Sequence, residues 1–218
     1  MTPFVNVLWP TEPSEPEPDF PVVAGTASSS EDTDTTSHAV TLPTGTVSGD
    51  LIVIAFQHSS VNVGSLTVPS GWTVLDTNSQ ARLITGVATN SDPVIVTTDV
   101  LRRSTHVTFR ITNTTNDVEG SLSDAAPPLR TPSWGSAKTL WLATVGTRIG
   151  GGNEWTQPAD YTGLVQIGNA GANTTSTSYC RVAMAYRELE AASEQPGAWS
   201  NAGNTDNVRW GTIAVRPS

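Results

Sequence analysis

The chain has 218 residues, of which 37% are apolar and 14% charged, with a formal net charge of −9. Ten of its eleven basic residues are arginines, and they form no basic stripe that could neutralise a row of phosphates; an anionic surface also opposes docking on anionic lipid, so neither nucleic acid nor a membrane is expected as a partner. A lone cysteine excludes an internal disulfide, seven tryptophans and several apolar runs argue against disorder, and no segment approaches the ~18 consecutive apolar residues of a membrane helix.

Residues 1–21 read as an extended arm. Pro3, Pro10, Pro13, Pro16, Pro18 and Pro21 forbid a regular helix or central strand and favour polyproline-like chain, while Glu12, Glu15, Glu17 and Asp19 keep it solvated. The first residues lack the basic and long apolar regions of a signal peptide, so synthesis in a reducing cytoplasm is expected. Ahead of the spacer, Phe4, Val5, Val7, Leu8 and Trp9 form an apolar group with no core of its own to join, the expected interface anchor of the arm.

Residues 22–218 read as one β domain, a length usual for a sandwich. Val22 to Ser37 is small and polar and reads as a solvated loop; Glu31, Asp32 and Asp34 lack the glycine turn and distal glutamate of a calcium loop. Val40–Leu42 is a short strand. Leu51–His58 is apolar on both faces through Ile54, as in a buried central strand entered through the turn Val47-Ser48-Gly49-Asp50. Trp72–Leu75 follows the turn Pro69-Ser70-Gly71. Arg82–Thr89 and Val94–Thr98, joined by Asn90-Ser91-Asp92-Pro93, read as a hairpin.

His106–Thr112 alternates, with Val107, Phe109 and Ile111 inward. Asn113 to Trp134 reads as a long surface loop. Strands resume at Thr139–Thr147, Thr162–Ile167 and Ser178–Glu188, the last placing Cys180, Val182, Met184 and Tyr186 on one face. Glu188–Gln195 suggests a helical turn, and Arg209–Val215 the final strand. Short strands with turns between them and almost no helix predict an all-β fold: a mostly antiparallel, jelly-roll-like β-sandwich.

Motifs for chemistry are missing. The histidines, His38, His58 and His106, have neither HExxH spacing nor an acidic neighbour, and two of them read as ordinary strand-end polar groups. No GxSxG elbow occurs, and Gly150-Gly151-Gly152 lacks the Lys-Ser/Thr of a phosphate loop. Asp50, Asp76, Asp92, Asp99, Glu154 and Asp160 fall almost entirely in turns, where aspartate normally caps its own backbone rather than pairing in a glycosidase cleft. No catalytic, cofactor-binding or metal-binding residue is expected, and no enzyme. Among the tryptophans outside predicted strands, Trp134, Trp155 and Trp199 are candidates for an interface or for stacking on a sugar ring; the plainer expectation is that they plug the ends of the sandwich.

The runs VSGDLIVIAF (47–56), PSGWTVL (69–75) and WGTIAVRP (210–217) resemble a pattern in tailed-bacteriophage virion proteins with jelly-roll-like domains, used in capsid decoration or tail fibres. The resemblance extends over Val40 to Pro217, on short matches: Gly49-Asp50, Gly71-Trp72, and Trp210 through Arg216-Pro217. It implies a capsid decoration or cement protein on the virion surface that partners the major capsid protein or other virion proteins, with homo-oligomers. The alternative is a tail-fibre or baseplate-associated protein that binds a host glycan as receptor. The arm lies outside the pattern.

Overall fold

The computed structural model describes residues 19–60, 64–148, 154–170, 179–201 and 207–218. Eleven strands follow one another: β1 (Val22–Val40), β2 (Leu51–His58), β3 (Leu66–Thr67), β4 (Trp72–Thr77), β5 (Ala81–Val87), β6 (Val94–Thr112), β7 (Thr114–Ser123), β8 (Ala137–Thr147), β9 (Thr162–Gly168), β10 (Arg181–Ala191) and β11 (Val208–Pro217). The named pairings are all antiparallel and form two sheets, so the chain is an all-β sandwich. The first sheet has the order β1-β6-β2-β5-β4, with β3 beside β6; the second has the order β7-β11-β8-β10-β9. Each sheet is thus built from one half of the chain.

Strand β2 is central and buried at all eight positions, as its double-sided apolarity demands. Its odd residues, Leu51, Val53 and Ala55, meet Phe109, Ile111, Leu142, Met184 and Ile213 in the middle core between the sheets. Its even residues, Ile52, Ile54 and Phe56, point the other way into a second core with Val40, Leu42, Val94 and Val96. A third core, Ala143, Val145, Ala183, Ala185, Trp155, Tyr161 and Trp199, covers the outer face of the second sheet. Burying one such aliphatic side chain is worth roughly 1.5–3 kcal/mol.

The second core exists because β6 bends. Both β5 and β6 pair antiparallel with β2, on opposite sides of it, so they run in the same direction. The Asn90–Pro93 segment therefore does not close the expected hairpin. It begins a crossover that lays Val94 and Val96 over the outer face of β2 before Ser104–Ile111 joins the sheet. Strand β1 follows β6 along its length, with register shifts around residues 23–25 and 31–37, which let the two-stranded ribbon fold over.

Three further expectations are corrected. Val22–Ser37 is part of strand β1, and residues 114–123 of the expected loop are strand β7. Both are edge strands with no long apolar run, and Thr and Ser at half-exposed positions satisfy a ladder without an apolar alternation to advertise it. The region Glu188–Gln195 forms no helix: β10 runs on to Ala191, and Glu194 forms an isolated bridge with Arg130.

Between β6 and β7 a single residue, Asn113, carries the chain from one sheet to the other. Its φ of 58° lies in the left-handed region, which asparagine tolerates better than most residues.

Candidate functional site

The corner at Asn113 gathers both ends of the described chain. Its side-chain amide donates to the carbonyl of Phe20 at 2.9 Å, and its side-chain oxygen accepts the hydroxyl of Ser218 at 2.9 Å. Thr114 donates to the Arg216 carbonyl at 2.8 Å. The start of the described chain is therefore fixed beside the last strand.

Trp134 stands close to this corner. It is half-buried, and its indole N–H donates to the Thr139 hydroxyl at 3.2 Å, which fixes the ring. Two open grooves share it. One, of about 300 Å³, includes Thr115, Ser136, Arg216 and Ser218; the other, of about 280 Å³, includes Asp117, Glu119, Ser133 and Arg216. Arg216 pairs with Asp117 at 3.0 Å, and Arg130 pairs with Glu119. Partial burial works against ionisation of Glu119, but hydrogen bonds from Ser133 and Arg130 outweigh it and hold the carboxyl below its ordinary range. The result is an aromatic ring between two shallow, polar, charge-bearing grooves.

Of the three tryptophans singled out for stacking, Trp134 alone remains accessible. Trp155 is 2% exposed and Trp199 5% exposed. Their loops are held together by the Thr156–Ser200 bridge, with N···O distances of 2.8 and 3.1 Å. Trp155 packs edge-on against Trp210, ring centroids 6.0 Å apart. These two rings cover the second sheet, and a sugar has no access to them. The arm anchors Phe4, Val5, Val7, Leu8 and Trp9, and the Gly150–Gly152 turn, lie outside the described residues.

Sequence reasoning missed a histidine cluster. His38, His58 and His106 are all fully buried, although His58 and His106 read as strand-end groups at the surface or partly buried. They meet at one end of the second core: the His38 ring lies 6.0 Å from His58 and 6.4 Å from His106, and Phe56 stacks on His106 at 4.9 Å. Burial holds His38 down to about 4 and His106 to about 3; His58 also falls to about 3, through burial first and then the charges of His38, Arg102 and Arg82. A signal was present in the sequence: His58 is in phase with Ile52, Ile54 and Phe56 on a strand apolar on both faces.

On the other side of β2, Cys180 faces inward as expected. Burial pushes its thiol up to about 12, which suits a packed side chain and not a nucleophile. Asn169 accepts the Cys180 N–H at 3.1 Å and donates to the Glu31 and Ser104 carbonyls, both at 3.0 Å, tying β9 and β10 to the bulged stretch of β1. Asp50 caps the Val47 N–H at 2.8 Å and meets Arg110 at 3.3 Å; Asp76 holds the Leu122 N–H at 2.7 Å; Asp99 holds Ser65 through both its N–H and its hydroxyl. These carboxylates do structural work. Among the described residues no group of three His, Cys, Asp or Glu side chains is placed to hold a metal ion. No family model, curated protein or solved structure matches the chain.

Proposed function

We propose that the chain is a non-enzymatic structural component of a bacteriophage virion, a capsid decoration or cement protein that folds in the host cytoplasm and binds the particle surface partly through residues 1–21. The observation that carries the reading is the corner at Asn113. A proline-rich segment bearing Phe4, Val5, Val7, Leu8 and Trp9 is launched from a point tied by hydrogen bond to a rigid sandwich, beside the grooves around Trp134. A tethered, conformationally restricted segment loses less freedom on docking than a free peptide, and many copies on a particle multiply a weak contact. The sandwich supplies a body with three buried cores, and the resemblance of residues 40–217 to virion proteins points the same way. The partner in this reading is the major capsid protein or a neighbouring copy. The test is to delete residues 1–21 and add the purified domain back to particles that lack it. The truncated domain should fold, with an unchanged circular dichroism spectrum, and should bind far more weakly than the full chain; equal binding overturns the reading.

The second reading is a tail-fibre or baseplate-associated protein that binds a host glycan. The accessible indole of Trp134 between two polar grooves favours it, because such a ring offers a flat apolar face to a sugar with hydrogen-bonding groups alongside. A glycan-array signal abolished by Trp134→Ala, with arm deletion leaving particle binding intact, selects this reading over the first.

A further inference from the structure

The histidine cluster is more than buried polarity, because its hydrogen bonds have one consistent direction. Thr98 donates its hydroxyl to the Val100 carbonyl at 2.9 Å, so its oxygen is left to accept Nε2–H of His38 at 3.1 Å. His38 then presents a lone pair at Nδ1, which accepts the Ser104 hydroxyl at 2.7 Å. The Ser104 oxygen accepts Nε2–H of His106 at 2.7 Å. His106 Nδ1 accepts the hydroxyl of Ser29 at 2.9 Å, and the Ser29 oxygen takes the Thr41 N–H at 3.1 Å. Every proton in this relay is used once, and only with neutral imidazoles. A proton added to His38 Nδ1 turns an acceptor into a donor facing a donor: Ser104 must then accept from both rings, and its own hydroxyl proton loses its acceptor.

His58 sits outside the relay. Both its ring nitrogens are buried with no partner, and beside it Gln80 likewise has both side-chain polar atoms buried and unpartnered. The charges facing the cluster do not welcome a cation. Arg82 on β5 and Arg102 on β6 oppose it, and only Asp99 of β6 favours it. Asp99 is already bound by Ser65, and Glu31 of β1 is bound by the Ala39 N–H at 3.1 Å. Asp32, also on β1, holds Asn169 and Ala170, and Arg103 of β6 lies over Tyr179. Leu66 and Thr67 of β3 carry no charge.

The relay residues belong to the two strands that fold over the outer face of the first sheet. Ser29 and His38 are on β1, Thr98, Ser104 and His106 on β6, and two of the three register shifts of β1, between Glu31 and Ser37, lie between Ser29 and His38. We propose that the cluster is an acid-responsive latch: a proton added to the relay breaks the Thr98–His38–Ser104–His106–Ser29 chain of hydrogen bonds and frees the folded-over part of the β1–β6 ribbon while the middle core stays closed. This inference does not depend on which particle or surface the protein occupies.

Hydrogen exchange on the full chain, followed by mass spectrometry at pH 7 and at ~pH 4.5 with correction for intrinsic rates, separates local from global opening. Peptides covering residues 29–42 and 94–103 should lose protection at least ~10-fold at the lower pH, while those covering 140–146 and 182–186 keep theirs. In His58→Phe, which extends the apolar surface of Phe56 and cannot take a proton, the opening should move to lower pH. Loss of protection in both sets together, in neither, or at an unchanged pH in His58→Phe overturns the proposal. The wild-type comparison decides alone if the variant does not fold.

Discussion

The two sheets face the same problem, a second apolar face left over after the middle core is made, and they solve it differently. On the second sheet the cover is made of loops that carry Trp155, Tyr161 and Trp199 onto Ala143, Val145, Ala183 and Ala185. Large rings over small residues close that face with groups that carry no charge near neutral pH, and burial with the nearby Glu194 carboxylate raises the Tyr161 hydroxyl further from ionising. On the first sheet the cover is backbone, a ribbon of β1 and β6 folded over β2, and its apolar part (Val40, Val94, Val96) gives way at one end to three histidines. One face is closed by large rings whose loops are held by the Thr156–Ser200 bridge and by the Tyr161 hydroxyl on Glu194; the other is closed by apolar packing plus a histidine relay whose hydrogen bonds use only neutral imidazoles. Under the latch proposal, similar burial at neutral pH therefore goes with different responses to acid.

The largest effects should come from deleting the ring that anchors each cover. Phe56→Ala and Trp155→Ala should each cost about 3–5 kcal/mol in urea unfolding at pH 7, since both side chains are at most 2% exposed. Similar losses make the covers equivalent in neutral solution; a loss under ~1 kcal/mol in either marks that cover as dispensable.

Acid should then separate them. The histidine pKa values in the fold lie below the ~6.5 of the unfolded chain, so the unfolded state binds more protons as pH falls. Stability is fully present above ~pH 7 and is lost as pH drops from ~6.5 towards the folded values near 3 to 4. Each histidine contributes up to ~1.4 kcal/mol per pH unit in that window. Urea melts at pH 7, 6 and 5 should show this slope in the wild type and in Trp155→Ala, and a slope smaller by about one proton in His58→Phe. Equal slopes in wild type and His58→Phe mean that His58 takes up no proton on unfolding and count against the latch.

The smallest effect tests the relay itself. Ser104→Ala leaves His38 Nδ1 and His106 Nε2 buried without their hydroxyl, at a cost of about 1–3 kcal/mol at pH 7. A neutral substitution shows that the relay adds nothing to apolar packing.

The strands that build the middle core were legible because they bury long apolar stretches: β2, β8, β10 and β11 fall within a few residues of where the sequence placed them, and Phe109 and Ile111 are buried as expected. The edge strands β1 and β7 were not, since a strand paired on one side only and half-exposed needs no apolar run. The hairpin reading of residues 82–98 failed for another reason. A turn signal fixes where the chain bends, but not which strand receives it, and here β2 lies between β5 and β6. Burial of Trp155 and Trp199 agrees with the plainer expectation, but their place over a sheet face and the histidine cluster were hidden, because what covers a sheet's second face comes from distant residues: His38 reaches Ser104 and Trp155 reaches Trp210 only in three dimensions.

The single-residue passage at Asn113 also sets a timetable. Every strand of the first sheet is synthesised before the first residue of the second sheet is added, so the partners of β2 on both sides precede β8 and β10, which cover the face bearing Val53, Val107 and Phe109. A chain cut at the Asn113 corner would divide the strands sheet from sheet, and each fragment would carry one half of the middle core as an uncovered apolar face.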